Sequence, residues 1–180
     1  MIEFRFHSRG GQGGVIAGKL LSIAAGLEGK HVQSFPSFGV ERRAAPVMTF
    51  VRIDNKPIKI RSQVYHPDIL VVMDPSLIKF TPVLSGLKDN GTIIVNSVHP
   101  PDYFNFPDKY TTHCFDAAKI ALERRLGSIT QPIVNTAILG AIAKITGIVS
   151  LESVVEAVKG NVPVKPEENA SSVIDAFNSV

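Results

Sequence analysis

The chain has 180 residues, of which 44% are hydrophobic and 19% are charged. This length and composition predict one domain over residues 1–180, with enough apolar chain to build a core. Lysine and arginine number 19 against 16 acidic residues and are scattered, so the net charge of +3 does not indicate nucleic-acid binding. Cys114 is the one cysteine, which excludes an iron–sulfur cluster held by this chain alone, because such clusters usually take about four thiolates.

The sequence also bears on where the protein resides. The first residues alternate apolar and polar side chains instead of following the basic-then-apolar layout of a secretion signal. No apolar run approaches the roughly 18 residues of a spanning helix. The five histidines are dispersed without metal-ligand spacing, so no metal site is predicted. We therefore expect a cytoplasmic protein that contacts no membrane.

The first third of the chain alternates strand and helix patterns. Ile2, Phe4 and Phe6 alternate with polar residues, which predicts a short strand, and a helix-spaced apolar pattern over residues 15–27 ends at Gly29. A second short strand and a long loop follow. A polar turn then joins two further strands, which we expect to form an inserted β-hairpin. These later elements are predicted at residues 31–34, 35–46, and 47–53 paired with 57–60.

The remaining chain begins with two short all-apolar runs, residues 69–73 and 92–96, which are typical of strands buried on both faces. Asp74 follows the first run; it could line a crevice or cap the turn at Pro75, and we expect the cap. One more strand and a series of helices are predicted at residues 111–115, 117–126, 135–146, 150–159 and 167–177. This order predicts an α/β fold: a Rossmann-like, mostly parallel sheet with helices on both faces, an inserted β-hairpin and a helical C-terminal part.

A glycine-rich loop lies between the first strand and the first helix, where open α/β sheets bind ligands. This glycine loop consists of Arg9, Gly10, Gly11, Gln12, Gly13 and Gly14. Glycines accept positive φ angles, and without Cβ atoms their backbone N–H groups can close on phosphate oxygens beside the positive end of a helix. The loop therefore predicts a phosphate-bearing ligand, with a tight turn that binds nothing as the alternative.

The loop departs from the usual dinucleotide-binding pattern. Ser8 replaces the first glycine of that pattern, and Gln33 and Ser34 stand where an acidic residue would hold a ribose. The Gly-Lys-Ser/Thr sequence of a Walker loop is missing as well. These departures favour a phosphate-bearing ligand bound in another pose over NAD.

Two adjacent arginines, Arg42 and Arg43, lie in the long loop after the second strand. Neighbouring guanidinium groups suit bidentate contacts to phosphate or carboxylate. Alternatively, Glu41 pairs with one arginine and the other faces water. Taken alone, the pattern favours this second interpretation.

Four blocks of sequence, in this order and spacing, resemble the gamma subunit of the 2-oxoacid:ferredoxin oxidoreductases, with the pyruvate/2-oxoisovalerate branch nearest. The blocks are residues 9–13, residues 35–43 with 45–47, residues 51–54 and residues 135–141. The resemblance runs from the first strand to the last helix. The family pattern has glycine at the position of Ser8, and commonly at that of Ala44.

The resemblance implies a subunit of an assembly that converts a 2-oxoacid and coenzyme A to acyl-CoA and CO2 and passes two electrons to ferredoxin. Thiamine diphosphate and the iron–sulfur clusters would lie on companion alpha, beta and delta-type subunits. This chain would supply no catalytic residue and would be inactive alone. Its part would be to help bind coenzyme A, which carries a diphosphate and a ribose phosphate. A free-standing nucleotide-binding regulatory module and a subunit of the indolepyruvate enzyme are the alternatives.

By the same resemblance, the glycine loop would contact coenzyme A through its backbone, and Arg42 or Arg43 would reach a phosphate. Asn135 would contribute a side-chain hydrogen bond, although an asparagine at this point is also a good helix N-cap. Phe35 and Phe38 lie in a loop bounded by prolines and predict an exposed apolar patch for a partner.

Overall fold

The computed structural model describes residues 1–37 and 44–180, so Phe38, Arg42 and Arg43 lie outside the described residues. The elements, in chain order, are β1 (Ile2–Arg9), α1 (Gly14–Leu27), β2 (His31–Ser37), β3 (Pro46–Asp54), β4 (Ile69–Val72), β5 (Thr92–Asn96), β6 (Thr111–Phe115), α2 (Ala117–Glu123), β7 (Gly127–Ser128), β8 (Gln131–Pro132), α3 (Asn135–Thr146), α4 (Leu151–Asn161) and α5 (Pro166–Ser179). Two short helices of the tighter 3-10 type span Pro75–Lys79 and Pro101–Phe104. Within the described ranges, no helix is both long and apolar enough to cross a membrane.

A six-stranded sheet organises the described part of the chain. Its strand order is β2-β3-β1-β4-β5-β6. β1, β4, β5 and β6 run parallel, whereas β3 lies antiparallel between β1 and β2. The predicted α/β, Rossmann-like and mostly parallel architecture is therefore confirmed.

The inserted hairpin is formed by β2 and β3, whereas the sequence predicts residues 47–53 paired with 57–60. β3 pairs with β2 along one edge and with β1 along the other. Because both edges of β3 are occupied, residues 57–60 cannot pair with β3 as predicted, and they form no strand. They run beside the hairpin instead, where the Ile60 carbonyl accepts a hydrogen bond from Gln33 Nε2 at 2.8 Å.

The two faces of the sheet are covered differently. Phe4 and Phe6 of β1 are fully buried on the face against which α1 to α5 pack. On the opposite face, Leu70 and Ile93 lie under the 3-10 helix Pro75–Lys79 and residues 83–87. Helical segments thus cover both faces, but all five α-helices of the described chain share one of them. Prolines recur in the connections on the other face, where they disfavour longer helices.

Phe35 belongs to the sheet and not to a loop. Pairing between β2 and β3 continues to Ser37, and the Phe35 ring is half-buried, with its centroid 5.4 Å from that of Phe50. The Arg52 guanidinium lies 5.8 Å from the centre of the same ring. Phe35 is therefore only partly exposed, and because Phe38 lies outside the described residues, the apolar patch predicted for these two rings stays a prediction.

The helices α3 and α5 approach each other closely at Gly140 of α3. A Cβ atom added to this residue would overlap the backbone carbonyl oxygen of Val173 in α5. Gly160, in α4, has open space at the same position, since its added Cβ atom would meet nothing within 4 Å. The two glycines offer a matched pair for testing how tightly α3 and α5 pack.

We expect Gly140→Ala to lower the free energy of unfolding by about 2 kcal/mol or more, because overpacking a well-packed core typically costs about 1–3 kcal/mol. Gly160→Ala should raise it by about 0.5–1 kcal/mol, since alanine favours a helix over glycine. Urea denaturation of the purified chain, followed by circular dichroism, measures both. Equal free energies of unfolding for the two variants would contradict the close approach.

Candidate functional site

The glycine loop lies at the carboxyl ends of the parallel strands. β1 leads through this loop into α1 and on to β2 at one edge of the sheet, whereas β4 leads to β5 toward the other edge. The two connections diverge above neighbouring strands and leave a crevice, which is where open α/β sheets bind ligands. Residues 73–76, which follow β4, border the loop at this crevice.

An ion pair joins the ends of β1 and β4. The parallel register sets His7 opposite Val72, so Arg9 and Asp74, each two residues further on, stand opposite one another. Arg9 Nε donates to Asp74 Oδ2 at 3.0 Å, and only 28% and 19% of the two side chains are exposed. Because partial burial reduces screening by water, this pair is stronger than an ion pair on an open surface.

Asp74 collects hydrogen bonds from both sides of the crevice. Its Oδ2 also accepts from Gln12 Nε2 at 3.0 Å, and its Oδ1 accepts from the Ser76 backbone N–H at 3.0 Å and from Ser76 Oγ at 2.6 Å. Ser76 Oγ in turn accepts from a terminal guanidinium nitrogen of Arg9 at 2.8 Å. The predicted cap is confirmed, since Asp74 caps the 3-10 helix Pro75–Lys79. The same carboxylate also anchors the glycine loop.

The Asp74 carboxylate is stabilised in its charged form. Partial burial by itself would raise the pKa of this carboxyl, but hydrogen bonds from Ser76 and Gln12 and the positive charge of Arg9 outweigh that effect and lower the pKa. Asp74 is therefore ionised at neutral pH, where it accepts every hydrogen bond offered to it.

The loop is tied down at several points along its length. The Arg9 backbone N–H donates to Gln12 Oε1 at 2.7 Å, and the Gln12 backbone N–H donates to the Arg9 carbonyl at 3.0 Å. The Gly10 backbone N–H donates to the Ala45 carbonyl at 2.9 Å, while the Ala44 N–H donates to the Gly10 carbonyl at 3.2 Å. The other terminal nitrogen of Arg9 donates to the Ala44 carbonyl at 3.0 Å. These bonds connect the loop to the segment that enters β3.

Ala44 adopts a left-handed backbone angle, with φ at 69°, that L side chains rarely take. Glycine takes this angle without strain, which accounts for the glycine that the resembling family commonly has at this position. Ala44 is the first described residue after Arg42 and Arg43, whose predicted phosphate contacts concern residues outside the described ranges.

The first turn of α1 presents backbone donors to the crevice. Gly13 is the N-cap residue, with a left-handed φ of 79° and no side chain to act as a cap. The first turn contains no acidic residue, and the N–H groups of Gly11, Gly13 and Gly14 donate to no acceptor in residues 1–37 and 44–180. Unfilled N–H groups and the helix dipole together make such an N-terminus suited to an anion.

Asn135 lies directly behind Gly13. The residue is 5% exposed, and a Cβ atom added to Gly13 would lie 2.6 Å from Asn135 Nδ2. The predicted N-cap role is wrong by one residue: Val134 already has near-helical backbone angles, so α3 begins at Asn135 itself. Asn135 Oδ1 accepts from the Thr136 backbone N–H at 2.9 Å, whereas Nδ2 donates to nothing within the described chain.

A cavity of about 330 Å³ opens beside the glycine loop. Loop residues form one wall, the tip and second strand of the β7–β8 hairpin form another, and Asn96 at the end of β5 also lines it. Asn96 is held on both sides, since its Nδ2 donates to the Met73 carbonyl and its Oδ1 accepts from the Ala117 backbone N–H, each at 3.0 Å. The structure thus gathers Arg9 to Gln12 around one cavity, with Gly13, Gly14 and Asn135 at the adjoining helix N-terminus.

Sequence reasoning did not assign Asn96 to this site, and for Asp74 it preferred a turn cap over a role in lining a crevice. A signal for both was present, because each ends or directly follows an all-apolar run that forms a buried parallel strand. Carboxyl ends of parallel strands meet at one edge of a sheet, so polar residues at those ends converge.

Sequence comparisons with known proteins all identify the same family of oxidoreductases. Residues 3–179 match the family described as pyruvate ferredoxin/flavodoxin oxidoreductase. The common gamma subunit of the pyruvate/ketoisovalerate oxidoreductases of Thermococcus kodakarensis is 51% identical over 184 residues, which cover 99% of this chain and 96% of that relative. The pyruvate synthase subunit PorC of Methanothermobacter thermautotrophicus is 46% identical over 181 residues, which cover 100% of this chain and 96% of that relative.

A comparison with solved structures identifies the same family. The crystal structure of the pyruvate oxidoreductase subunit PORC of Thermotoga maritima superimposes with a TM-score of 0.82 and 31% sequence identity, and the match covers 98% of this chain and 95% of that one. Family, length and fold are thus shared from end to end, and the chain belongs to the 2-oxoacid:ferredoxin oxidoreductases as a gamma-type subunit.

Proposed function

We propose that this gamma-type subunit forms part of the coenzyme A site of its oxidoreductase. The observation that carries the proposal is the uncapped N-terminus of α1, whose glycine N–H groups face a crevice in a loop that Arg9 and Asp74 hold in place. A diphosphate is the kind of group that such donors bind. Coenzyme A is the phosphate-bearing substrate of the reaction that the family resemblance implies.

Some residues of the glycine loop would contact the ligand, and others would hold the loop in position. The N–H groups of Gly11, Gly13 and Gly14 are the donors left for a diphosphate, because nothing in the described chain accepts from them. Arg9 and Gln12 act on the ligand indirectly, since their side chains are engaged with Asp74 and with the loop itself.

Asn135 Nδ2, next to Gly13, would add a side-chain donor to the ligand. Arg42 and Arg43 would supply a charge-assisted phosphate contact from outside the described residues, a role that rests on the family resemblance. Together these groups would make a site that recognises phosphate through one amide side chain, one guanidinium group and several backbone N–H groups.

The remaining chemistry belongs to other chains of the assembly. A 2-oxoacid loses CO2, its acyl group passes to the thiol of coenzyme A, and the two electrons released pass through iron–sulfur clusters to ferredoxin. With Cys114 as its one cysteine, this chain cannot hold a cluster. We propose that alpha, beta and delta-type companions bind thiamine diphosphate and the clusters, and that the complex works in the cytoplasm on pyruvate or a branched-chain 2-oxoacid.

The first prediction concerns Gly11, which is exposed and has open space where a Cβ atom would lie. In the assembled enzyme, Gly11→Val should raise the KM for coenzyme A by about tenfold or more, because a branched side chain would occupy the place of the diphosphate. The KM for the 2-oxoacid should stay unchanged. Steady-state kinetics with each substrate varied in turn measures both constants.

Gly29→Val is the matched control for Gly11→Val. Gly29 is also exposed, also has a positive φ, at 76° against 99° for Gly11, and also has no neighbour within 4 Å of an added Cβ atom. It lies just beyond the other end of α1, so it reproduces the backbone strain without obstructing the crevice. Equal KM values for coenzyme A in the two variants would contradict the proposed site.

The second prediction separates the two arginines. Arg42→Ala or Arg43→Ala, but not both, should raise the KM for coenzyme A by roughly ten- to a hundredfold, which corresponds to one charge-assisted hydrogen bond of about 1.5–3 kcal/mol. Arg61→Ala, at an exposed arginine elsewhere in the chain, is the control. If both variants behave like Arg61→Ala, neither arginine contacts the ligand.

The third prediction concerns the chain by itself. Purified alone, it should not reduce ferredoxin or a viologen dye with pyruvate and coenzyme A, because it lacks cluster ligands and the thiamine cofactor. Addition of the companion subunits should restore dye reduction. Pyruvate-dependent reduction by the lone chain above the enzyme-free background would refute this division of labour.

A further inference from the structure

A cavity of about 400 Å³ lies between the two 3-10 helices, on the face of the sheet that the α-helices leave free. Its lining includes Ile78, Lys79, His99, Tyr103 and Phe104. Ile78 and Phe104 are only partly exposed, because they pack onto the buried cluster on this face of the sheet. The cavity therefore has an apolar floor.

Large apolar side chains are exposed around this cavity. Phe80 and Val98, each next in the chain to a lining residue, are 78% and 74% exposed, and Tyr103 is 55% exposed. We call residues 78–80, 98–99 and 103–104 the 3-10 patch. Single exposed apolar residues are ordinary, whereas an exposed apolar cluster marks a site where another molecule binds.

The rings of the 3-10 patch are held in a fixed arrangement. His99 and Tyr103 stack with their centroids 3.9 Å apart and an interplanar angle of 15°, and the rings of Tyr103 and Phe104 meet edge to face at 5.2 Å. The Tyr103 backbone N–H donates to the Pro100 carbonyl at 3.1 Å. Aromatic side chains that are already ordered lose little freedom on binding, and tyrosine is enriched where protein interfaces are strongest.

Lys79 brings a positive charge to the 3-10 patch. Its side chain is exposed and makes no hydrogen bond or ion pair with any residue in the described ranges. No carboxylate lines the cavity among residues 1–37 and 44–180. Two copies of this chain joined through the patch would leave each lysine facing a surface that offers no carboxylate. The charge therefore favours a different protein, one that presents a carboxylate among apolar side chains.

The 3-10 patch adjoins the crevice at the carboxyl ends of the strands. Its segments belong to the connections that follow β4 and β5, which begin at Asp74 and Asn96 of the candidate site. Ser76 lines the patch cavity, and its Oγ accepts from Arg9 of the glycine loop at 2.8 Å. A protein bound to the patch would therefore stand beside the glycine loop.

We propose that the 3-10 patch is the docking surface for the companion subunit that holds thiamine diphosphate, and that this subunit sets apolar side chains against Phe80 and Tyr103 and a carboxylate against Lys79. The inference rests on the proposed division of the reaction among chains. An acyl group held on another chain reaches the thiol of coenzyme A only where that chain approaches the crevice. The patch offers an apolar surface at that place.

The first test measures how tightly this chain binds the purified complex of its companions. Phe80→Ser and Val98→Ser should each raise the Kd by about tenfold, because each removes an apolar side chain that the interface would bury. Val164→Ser is the matched control for Val98→Ser, since Val164 is 68% exposed and lies on the side of the sheet that carries the α-helices. These side chains are exposed, so the variants should fold, which circular dichroism verifies.

The charge has a test of its own. Binding of the unaltered chain should weaken as the salt concentration rises, and Lys79→Gln should reduce that dependence, because salt screens an ion pair across the interface. Lys56→Gln is the control, since Lys56 is exposed and follows β3 at the opposite edge of the sheet. An equal salt dependence in the two variants would contradict a carboxylate opposite Lys79.

Crosslinking identifies the partner. With Tyr103 replaced by the photoreactive residue p-benzoylphenylalanine, irradiation of the assembled enzyme should join this chain to the subunit that retains thiamine diphosphate, which mass spectrometry identifies. A crosslink to a second copy of this chain, or to a subunit without thiamine diphosphate, would overturn the assignment.

The outcomes also separate this inference from the proposed coenzyme A site. If Phe80→Ser and Val98→Ser bind like Val164→Ser, or raise the KM for coenzyme A at unchanged assembly, the docking assignment is overturned. Gly11→Val should leave assembly unchanged. If Gly11→Val leaves the KM for coenzyme A unchanged while the patch variants weaken assembly, the coenzyme A site is wrong and the docking surface stands.

Discussion

The Arg9–Asp74 ion pair is the contact on which the candidate site depends. It closes the gap between the ends of two parallel strands, β1 and β4, at the point where their connections diverge. Asp74 also accepts hydrogen bonds from Gln12 and Ser76, so one carboxylate fixes the glycine loop and the start of the following 3-10 helix. Removing either partner would leave a partly buried charge unpaired, which typically costs about 1–3 kcal/mol.

The position of α1 follows from this arrangement. The loop that Arg9 and Gln12 hold leads directly into α1, and Gly13 lets the chain turn with a left-handed angle that presents backbone N–H groups to the crevice. Along its next turns the same helix lines a second cavity, of about 450 Å³, through Ile16, Lys19 and Leu20. The sheet contributes rigid strand ends, and the side chains at those ends set the geometry of the candidate site.

The sequence predicts elements well where one pattern dominates. The run 92–96 forms β5 and the helical pattern over residues 135–146 forms α3, because hydrophobic periodicity decides these elements locally. The hairpin is different: residues 57–60 look as strand-like as β2, but the pairing of β3 with both β1 and β2 leaves no edge of β3 for them. Long-range pairing of this kind is not contained in a local pattern.

In the candidate site, too, local patterns are predicted from the sequence and long-range contacts are not. The position of the glycine loop between a strand and a helix predicts a ligand site, with a tight turn that binds nothing as the alternative. Asp74 is predicted as a turn cap, which is correct, but its bond to Arg9 depends on a strand register that joins residues 65 positions apart. The cavity of about 450 Å³ along α1 is formed by segments near residues 16, 125, 133 and 164, and no spacing in the sequence relates them.

A double-mutant cycle on Arg9 and Asp74, read as the KM for coenzyme A in the assembled enzyme, tests most directly whether this pair sets the loop for binding. If it does, Arg9→Gln and Asp74→Asn each raise that KM by about tenfold, and the double variant is little worse than either, which leaves a coupling factor near tenfold. Decarboxylation without coenzyme A should be unchanged in all three variants. Independent effects that multiply in the double variant, or no change in any KM, would contradict a loop held by this ion pair.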